Sequence, residues 1–302
     1  MLIREVLCGG RRLTLRPVQP VDVDGLETLF RTLSEDDRYR RFFTTICPSR
    51  RLLERFANTE ADGGFRMVAV NEDGHIVAEA GFGPPAEGDA EFSVTVSPHW
   101  RGWLGPYLLN LLVEEAGQHG VKNLEAVILT ANRTMLAVVA ARGCAVIDHP
   151  DWTVVQIAIG VADGMPVWPG KARHPRLLVE SPALADWSGT AAARAHGFTV
   201  IGCPISSAVR HRRCPALGGR ACPLAAGADA IVVAQGIEDR SAAALLEAHR
   251  RLHGAVPVFL ETATDGERPP WAPPGIPIID RRRPAAERVA ELAAAVSAIS
   301  EE

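Results

Sequence analysis

The stretch Met165-Pro-Val-Trp-Pro-Gly-Lys-Ala-Arg-His-Pro175 sets three prolines and a glycine among eleven residues, and no regular element can run through it. Proline has no N–H and clashes with the preceding helical turn, and it is excluded from central strands. A chain of 302 residues broken at this point yields two segments of ordinary domain size. The expected organisation is a first domain over 1–164, a proline-rich linker over 165–175 and a second domain over 176–302. With 47% hydrophobic and 23% charged residues, the composition excludes a disordered or collagen-like chain. The net charge of −4 argues against a nucleic-acid partner.

No segment reaches the ~20 consecutive apolar residues of a membrane span, and the N-terminus lacks the apolar core and cleavage site of a secretion signal. A cytoplasmic location with no membrane partner is the expectation, and disulfides do not persist there. Lys122 and Lys171 are the only lysines beside thirty arginines, a bias that a G- and C-rich gene produces without functional pressure.

The first half reads as mixed α/β. Arg12–Arg16 is a short strand, and Asp22 to Leu33 has helical apolar spacing after a possible capping aspartate. Phe65–Val70 and His75–Gly81 flank Asn71-Glu-Asp-Gly74, a hairpin signal. Glu91–Val96 alternates as a strand, Leu104–Gln118 is an apolar-rich helix and Leu124–Leu129 a strand. A helix over Asn132–Arg142 opens on a capping asparagine, and Trp152–Ile159 is a last strand.

The second half alternates more regularly. Arg176–Glu180, Phe198–Gly202, Ala230–Ala234, Val256–Glu261 and Ile276–Ile279 are apolar runs of strand length, with helical stretches near Ala183–His196, Ser241–His253 and Pro284–Ile299. Such alternation implies a parallel sheet covered on both faces, a doubly wound, flavodoxin-like pattern.

Chemistry concentrates in Val96-Ser-Pro-His-Trp-Arg-Gly-Trp-Leu-Gly-Pro-Tyr-Leu-Leu109. A strand, a turn carrying Gly102 and Gly105, and then a helix is how backbone N–H groups are turned toward a phosphate. Its neighbours extend the pattern: Leu15-Arg-Pro17, Asp22, Leu33-Ser-Glu-Asp-Asp-Arg-Tyr-Arg-Arg-Phe-Phe43, Ala90-Glu91 and Asn132-Arg-Thr-Met135 occur in order. Together these residues, spread over about 12–160, resemble the GNAT acyltransferase superfamily, and most of all its bacterial protein-lysine acetyltransferase (Pat-like) branch.

The resemblance implies a GNAT mixed-sheet domain that binds acetyl-CoA between two splayed strands. It places the pantetheine arm along the backbone of Val94 and Val96, the pyrophosphate on Arg101, Gly102, Trp103, Leu104 and Gly105, and Asn132 near the thiol. Glu91 matches the glutamate thought to act as general base, taking a proton from an amine or protein-lysine acceptor. The alternative is a solvated strand residue. The turn departs from the family pattern Gln/Arg-x-x-Gly-x-Gly/Ala, because Leu104 and Pro106 stand three and five residues after Arg101. Pro106 cannot donate an N–H, and a lost charge-assisted bond costs about 1.5–3 kcal/mol. Val139 stands where many GNAT enzymes carry a tyrosine, which Pat-like members often lack as well. Arg38, Arg40 and Arg41 form a basic run, read as a solvated helix face or as a contact for an acidic partner or a CoA phosphate.

The second half is similar to receiver domains in element order alone. Gln235 and Gly236 stand where a phosphoacceptor aspartate belongs, and Glu180 and Ser181 replace the paired acids. Such a pseudo-receiver would be regulatory, and it offers a surface for a partner protein. Cys203, His211, Cys214 and Cys222, spaced by eight, three and eight, are a candidate zinc set, with buried thiols or a redox pair as the alternative. Arg210, Arg212 and Arg213 would lower nearby thiolate pKa values. The two functional expectations are an acetyl-CoA-dependent N-acyltransferase with a regulatory domain and a catalytically degenerate acyl-CoA sensor or interaction module.

Overall fold

The computed structural model describes residues 3–8, 11–162, 165–182, 187–204, 214–234, 236–237, 239–263 and 267–300. By packing, the chain divides into Met1–Val138 and Val139–Glu302.

The first unit is built on a meander. Strands β1 (Arg4–Cys8), β2 (Arg11–Pro17), β3 (Phe65–Asn71), β4 (Ile76–Phe82) and β5 (Asp89–Val96) pair in sequence, each antiparallel to the last. Between β2 and β3 lie helices α1 (Val23–Thr32), α2 (Glu35–Phe42) and α3 (Arg50–Ala57). The hairpin joining β3 to β4 turns on Gly74 at φ +81°, a conformation only glycine adopts cheaply. There the Asn71 side-chain oxygen accepts from the Asp73 and His75 N–H groups. Helix α4 (Leu104–Gln118) buries Leu104, Leu108, Leu112 and Ala116, one stripe at helical spacing. Strand β6 (Asn123–Leu129) then pairs parallel with β5, and helix α5 (Arg133–Arg142) begins after it. A second core forms where Leu26 and Phe30 of α1 meet Leu53 of α3 and Val68 of β3.

Asp22 sits before α1 as expected, but its side chain does not cap the helix. It accepts two bonds from Arg16, at 2.6 and 2.7 Å, and one from the Gln19 N–H. Burial pushes this carboxyl up, yet the Arg16 and Gln19 bonds outweigh it and hold the pKa below the usual range.

The second unit opens with the antiparallel pair β7 (Ala145–Asp151) and β8 (Val154–Gly160). Strand β7 is not expected from the sequence, since Asp148, Pro150 and Asp151 break its apolar pattern. It pairs with β10 (Thr199–Pro204) through Gly202↔Val146, which ties the hairpin to the parallel strands of the same unit. The proline-rich stretch carries no helix or strand, yet Trp168 and Ala172 are buried, and the Trp168 indole donates to the Leu224 carbonyl at 2.8 Å. It is packed chain rather than a solvated tether.

The rest of the unit holds five parallel strands: β9 (Arg176–Ser181), β10, β11 (Ala230–Val233), β12 (Val258–Thr262) and β13 (Ile278–Asp280). Their spatial order is β10-β9-β11-β12-β13. Helices α6 (Thr190–Ala195), α7 (Pro223–Ala226), α8 (Asp239–Leu252) and α9 (Ala285–Ser300) intervene or close the run. Leu177, Val179 and Val232 pack with Ala193 of α6 and Leu292 of α9. Leu178, Ile231 and Leu260 pack with Leu224 of α7 and Leu245 of α8. The strands are therefore buried on both faces, which explains their unbroken apolar runs. Glu180 is buried against His249, with Oε1 3.0 Å from Nε2.

Among the described residues, no helix is long and apolar enough to cross a membrane.

Candidate functional site

The site begins with the backbone of β5. Gly83 N–H donates to the Glu91 carbonyl and Ser97 N–H to the Val77 carbonyl, each at 2.9 Å. Antiparallel pairing alternates, so the odd residues of β5 spend their backbone groups on β4 while Phe92, Val94 and Val96 turn theirs to the opposite edge. On that edge β6 pairs only from Asp89↔Asn123 to Glu91↔Glu125. A bond from the Asn123 side chain to Asp89, at 2.9 Å, pins the closed end. Beyond Glu91 the two strands part, among the described residues, and the amides of Val94 and Val96 face a gap.

That gap opens into a cleft of about 220 Å³ lined by Val94, Val96, Arg101, Gly102, Gly105 and Asn132. Gly102 holds φ +99°, the left-handed turn that brings the chain round into α4. The helix N-terminus thus opens beside the cleft and directs partial positive charge into it. Pro106, also in the lining, contributes no donor. Asn132 caps α5 by accepting from the Met135 N–H at 3.2 Å.

Helix α2 supplies the remaining wall. Ser34 caps it by accepting the Asp37 N–H at 3.1 Å, placing Asp37 in the first turn and Arg41 in the last. Arg101 bridges from the glycine turn: its Nη2 lies 2.8 Å from Asp37 Oδ2, and its Nε donates to the Val96 carbonyl at 3.2 Å. Burial raises the Asp37 pKa, but the bonds from Arg101 and Ser34 outweigh it and hold the carboxyl below its usual range.

Arg41 is not solvated, contrary to one reading of the basic run. It donates to Ser93 at 2.7 Å and Thr95 at 3.2 Å, and pairs with Glu79 at 3.4 Å. Glu79 is fully buried and also binds Arg66 and the Thr95 hydroxyl. Burial alone would push its carboxyl up; two guanidiniums and the hydroxyl hold it ionised, below the usual range. Arg38 is half-buried and donates to the carbonyls of Leu33 and Thr45.

Of the expected site residues, the structure gathers Val94, Val96, Arg101, Gly102, Gly105 and Asn132 around one cleft. Leu104 is instead buried in the first turn of α4, and Trp103 stands 6.0 Å from the Tyr107 ring; neither lines the cleft. Glu91 is exposed on β5 and is not part of the lining, but alternation puts it on the same face as Ser93 and Thr95. Asp37 lines the cleft without an expected role in it, although the Ser34-x-x-Asp37 capping spacing is visible in the sequence; Arg40 and Arg41 of the basic run, for which a CoA phosphate was one expected contact, line it too.

The zinc expectation finds no support. His211 lies outside the described residues, and among those described no group of three or more His, Cys, Asp or Glu is placed to hold a metal ion. Cys203, Cys214 and Cys222 therefore do not form a ligand set with one another. Cys222 is buried, and burial pushes its thiol up to about 11, the reverse of the activation expected from neighbouring arginines.

Residues 12–145 match the family model described as the acetyltransferase (GNAT) domain, and the strands and helices of this segment make a mixed α/β fold. The chain is 31% identical over 158 residues to the acetyltransferase Pat of Mycolicibacterium smegmatis, a match covering 50% of this chain and 46% of that protein. It thus spans about half the length of the curated relative. Among solved structures, the GNAT domain of S. lividans PAT aligns at 22% identity and TM-score 0.48, covering 52% of this chain and 96% of that one. A phosphinothricin acetyltransferase from Sinorhizobium meliloti, solved in complex with acetyl-CoA, aligns at 22% identity and TM-score 0.43, covering 54% and 96%.

Proposed function

We propose that the protein is an N-acyltransferase that moves the acetyl group of acetyl-CoA to an amine or protein-lysine acceptor. The observation that carries this reading is the parting of β5 from β6 after Glu91, which leaves the Val94 and Val96 amides open beside a helix N-terminus. An arm with alternating amide donors and acceptors fits such an edge, and a diphosphate fits the turn at Gly102.

Bound there, acetyl-CoA supplies an activated acetyl thioester. Glu91 takes the proton that the acceptor ammonium must lose before its nitrogen attacks, directly or through water. The N–H groups that β5 turns into the gap, Val94 first among them, stabilise the negative charge that develops on the carbonyl oxygen. The first proton of the ammonium goes to Glu91; as the C–N bond forms and the C–S bond breaks, the nitrogen's second proton passes through water to the departing thiolate, leaving a neutral amide and a free thiol.

Residues 176–302 form the regulatory domain of this reading, doubly wound and flavodoxin-like, joined to the GNAT domain of 1–164 through 165–175. Five parallel strands with the second placed outside the first support it. Glu180, at the position of a receiver's acids, is committed to His249, which favours a domain that takes no phosphate. It remains a surface for a partner protein.

A catalytically degenerate acyl-CoA sensor is the second reading, favoured by Pro106 at the opening of α4 and by the absence of Glu91 from the cleft lining. Calorimetry with acetyl-CoA, combined with thioester turnover against a panel of amines and lysine peptides, separates the two. The acyltransferase reading expects binding, turnover, and a drop in kcat of about 10²–10⁴-fold in Glu91→Gln, the range of one general base. Binding without turnover supports the sensor. No binding of any acyl-CoA overturns both.

A further inference from the structure

We propose that Arg101 is a latch over the acyl-CoA cleft, held shut by Asp37 and released by the ligand's own diphosphate. The inference rests on the acyl-CoA reading of the site and adds to it a competition within the protein.

Val96 turns its carbonyl into the gap, where an extended amide ligand needs an acceptor. That acceptor is already engaged by Arg101 Nε at 3.2 Å. The same guanidinium is drawn across the cleft by Asp37, 2.8 Å from Nη2. Asp37 is itself fixed: it stands in the first turn of α2, and the Ser34 hydroxyl donates to its Oδ2 at 2.8 Å. The far end of α2 is anchored independently by Arg41 on Ser93, Thr95 and Glu79. One arginine therefore ties the strand edge, the glycine turn and the start of α2 together.

A ligand lying along β5 must displace Arg101 from Val96. An acyl-CoA can do so, because its diphosphate offers the guanidinium a stronger, doubly charged partner beside Gly102. A ligand with the pantetheine arm but no phosphate must displace Arg101 and gives it nothing in return. The latch thus admits phosphate-bearing thioesters and disfavours bare ones, and its opening frees Asp37 and the first turn of α2.

Calorimetric titration of the full chain with acetyl-CoA and with S-acetyl-pantetheine tests this, because the two probes respond with opposite sign. Arg101→Ala should weaken acetyl-CoA binding tenfold or more yet tighten S-acetyl-pantetheine binding several-fold. Asp37→Asn, which keeps the shape and releases the charge, should tighten acetyl-CoA binding about three- to tenfold. In the Arg101→Ala background it should have no effect. Ser34→Ala, which weakens the start of α2 without neutralising Asp37, controls for loosening and should not tighten acetyl-CoA binding.

If Asp37→Asn leaves acetyl-CoA affinity unchanged or lowers it, or if Arg101→Ala weakens both probes alike, the latch is wrong while the acyl-CoA reading stands. If the wild-type chain binds neither probe, both fail.

Discussion

Glu79 shows how much one residue can organise. It is an acid in the apolar strand Ile76–Phe82, fully buried, and it gathers Arg66, Arg41 and Thr95 from three other elements. Removing the charge from such a cluster strands the buried Arg66 and the half-buried Arg41, so Glu79→Gln should lower unfolding stability by roughly 3–5 kcal/mol. The folded pKa is depressed, so the stability it contributes is fully present above the unfolded value near 4.5 and is lost as pH falls through the folded one. Chemical denaturation of wild type and Glu79→Gln between pH 3 and 7 should therefore show a gap that is constant near neutrality and narrows below 4.5. A gap independent of pH would mean that the carboxylate charge is not what matters. None of this is legible in the sequence, where a lone acid in a strand reads as a solvent-facing residue. Glu79 and Arg66 are thirteen residues apart, and only the β3–β4 register brings them together.

At the scale of elements the sequence is more legible, and the reason is local chemistry. Helix α4 spans Leu104–Gln118, the range its periodicity indicates, and the hairpin turns at Asn71–Gly74. Asn132 caps α5 as its position before the helix suggests. Capping and cleft lining meet in this residue, so Asn132→Ala should cost about 1 kcal/mol of stability and also weaken acetyl-CoA binding, measured by thermal unfolding with and without ligand. Loss of stability alone would confine Asn132 to the cap. Strand β7 is hidden by its polar residues and Pro150, and it is held by partners rather than by propensity. The open edge of β5 cannot be read from its residues alone, since which of them turn their amides outward depends on the register with β4; only the family resemblance points to Val94 and Val96.

Over the whole molecule, two kinds of sheet arise from two kinds of sequence. Hairpin signals between consecutive strands yield the antiparallel meander of Met1–Val138, while short apolar runs separated by helices yield the parallel strands of Val139–Glu302. Strand-and-helix order is therefore readable across most of the chain. The proline-rich stretch is indeed a break in regular structure, but its burial through Trp168 cannot be foreseen, since proline content says nothing about what a neighbouring tryptophan packs against.

The parted strands carry one more consequence, visible in time rather than in space. Along β5 the amide protons of Ser93 and Thr95 are locked to β4, whereas those of Val94 and Val96 face the cleft. In deuterated solvent the open half of the strand should exchange on two clocks, Ser93 and Thr95 slowly and the even Val94 and Val96 quickly. Adding acetyl-CoA should slow the even set to match the odd, a residue-by-residue record of ligand seating that NMR can read without any turnover. Uniform protection along β5 in the free protein would mean that the gap is closed in solution.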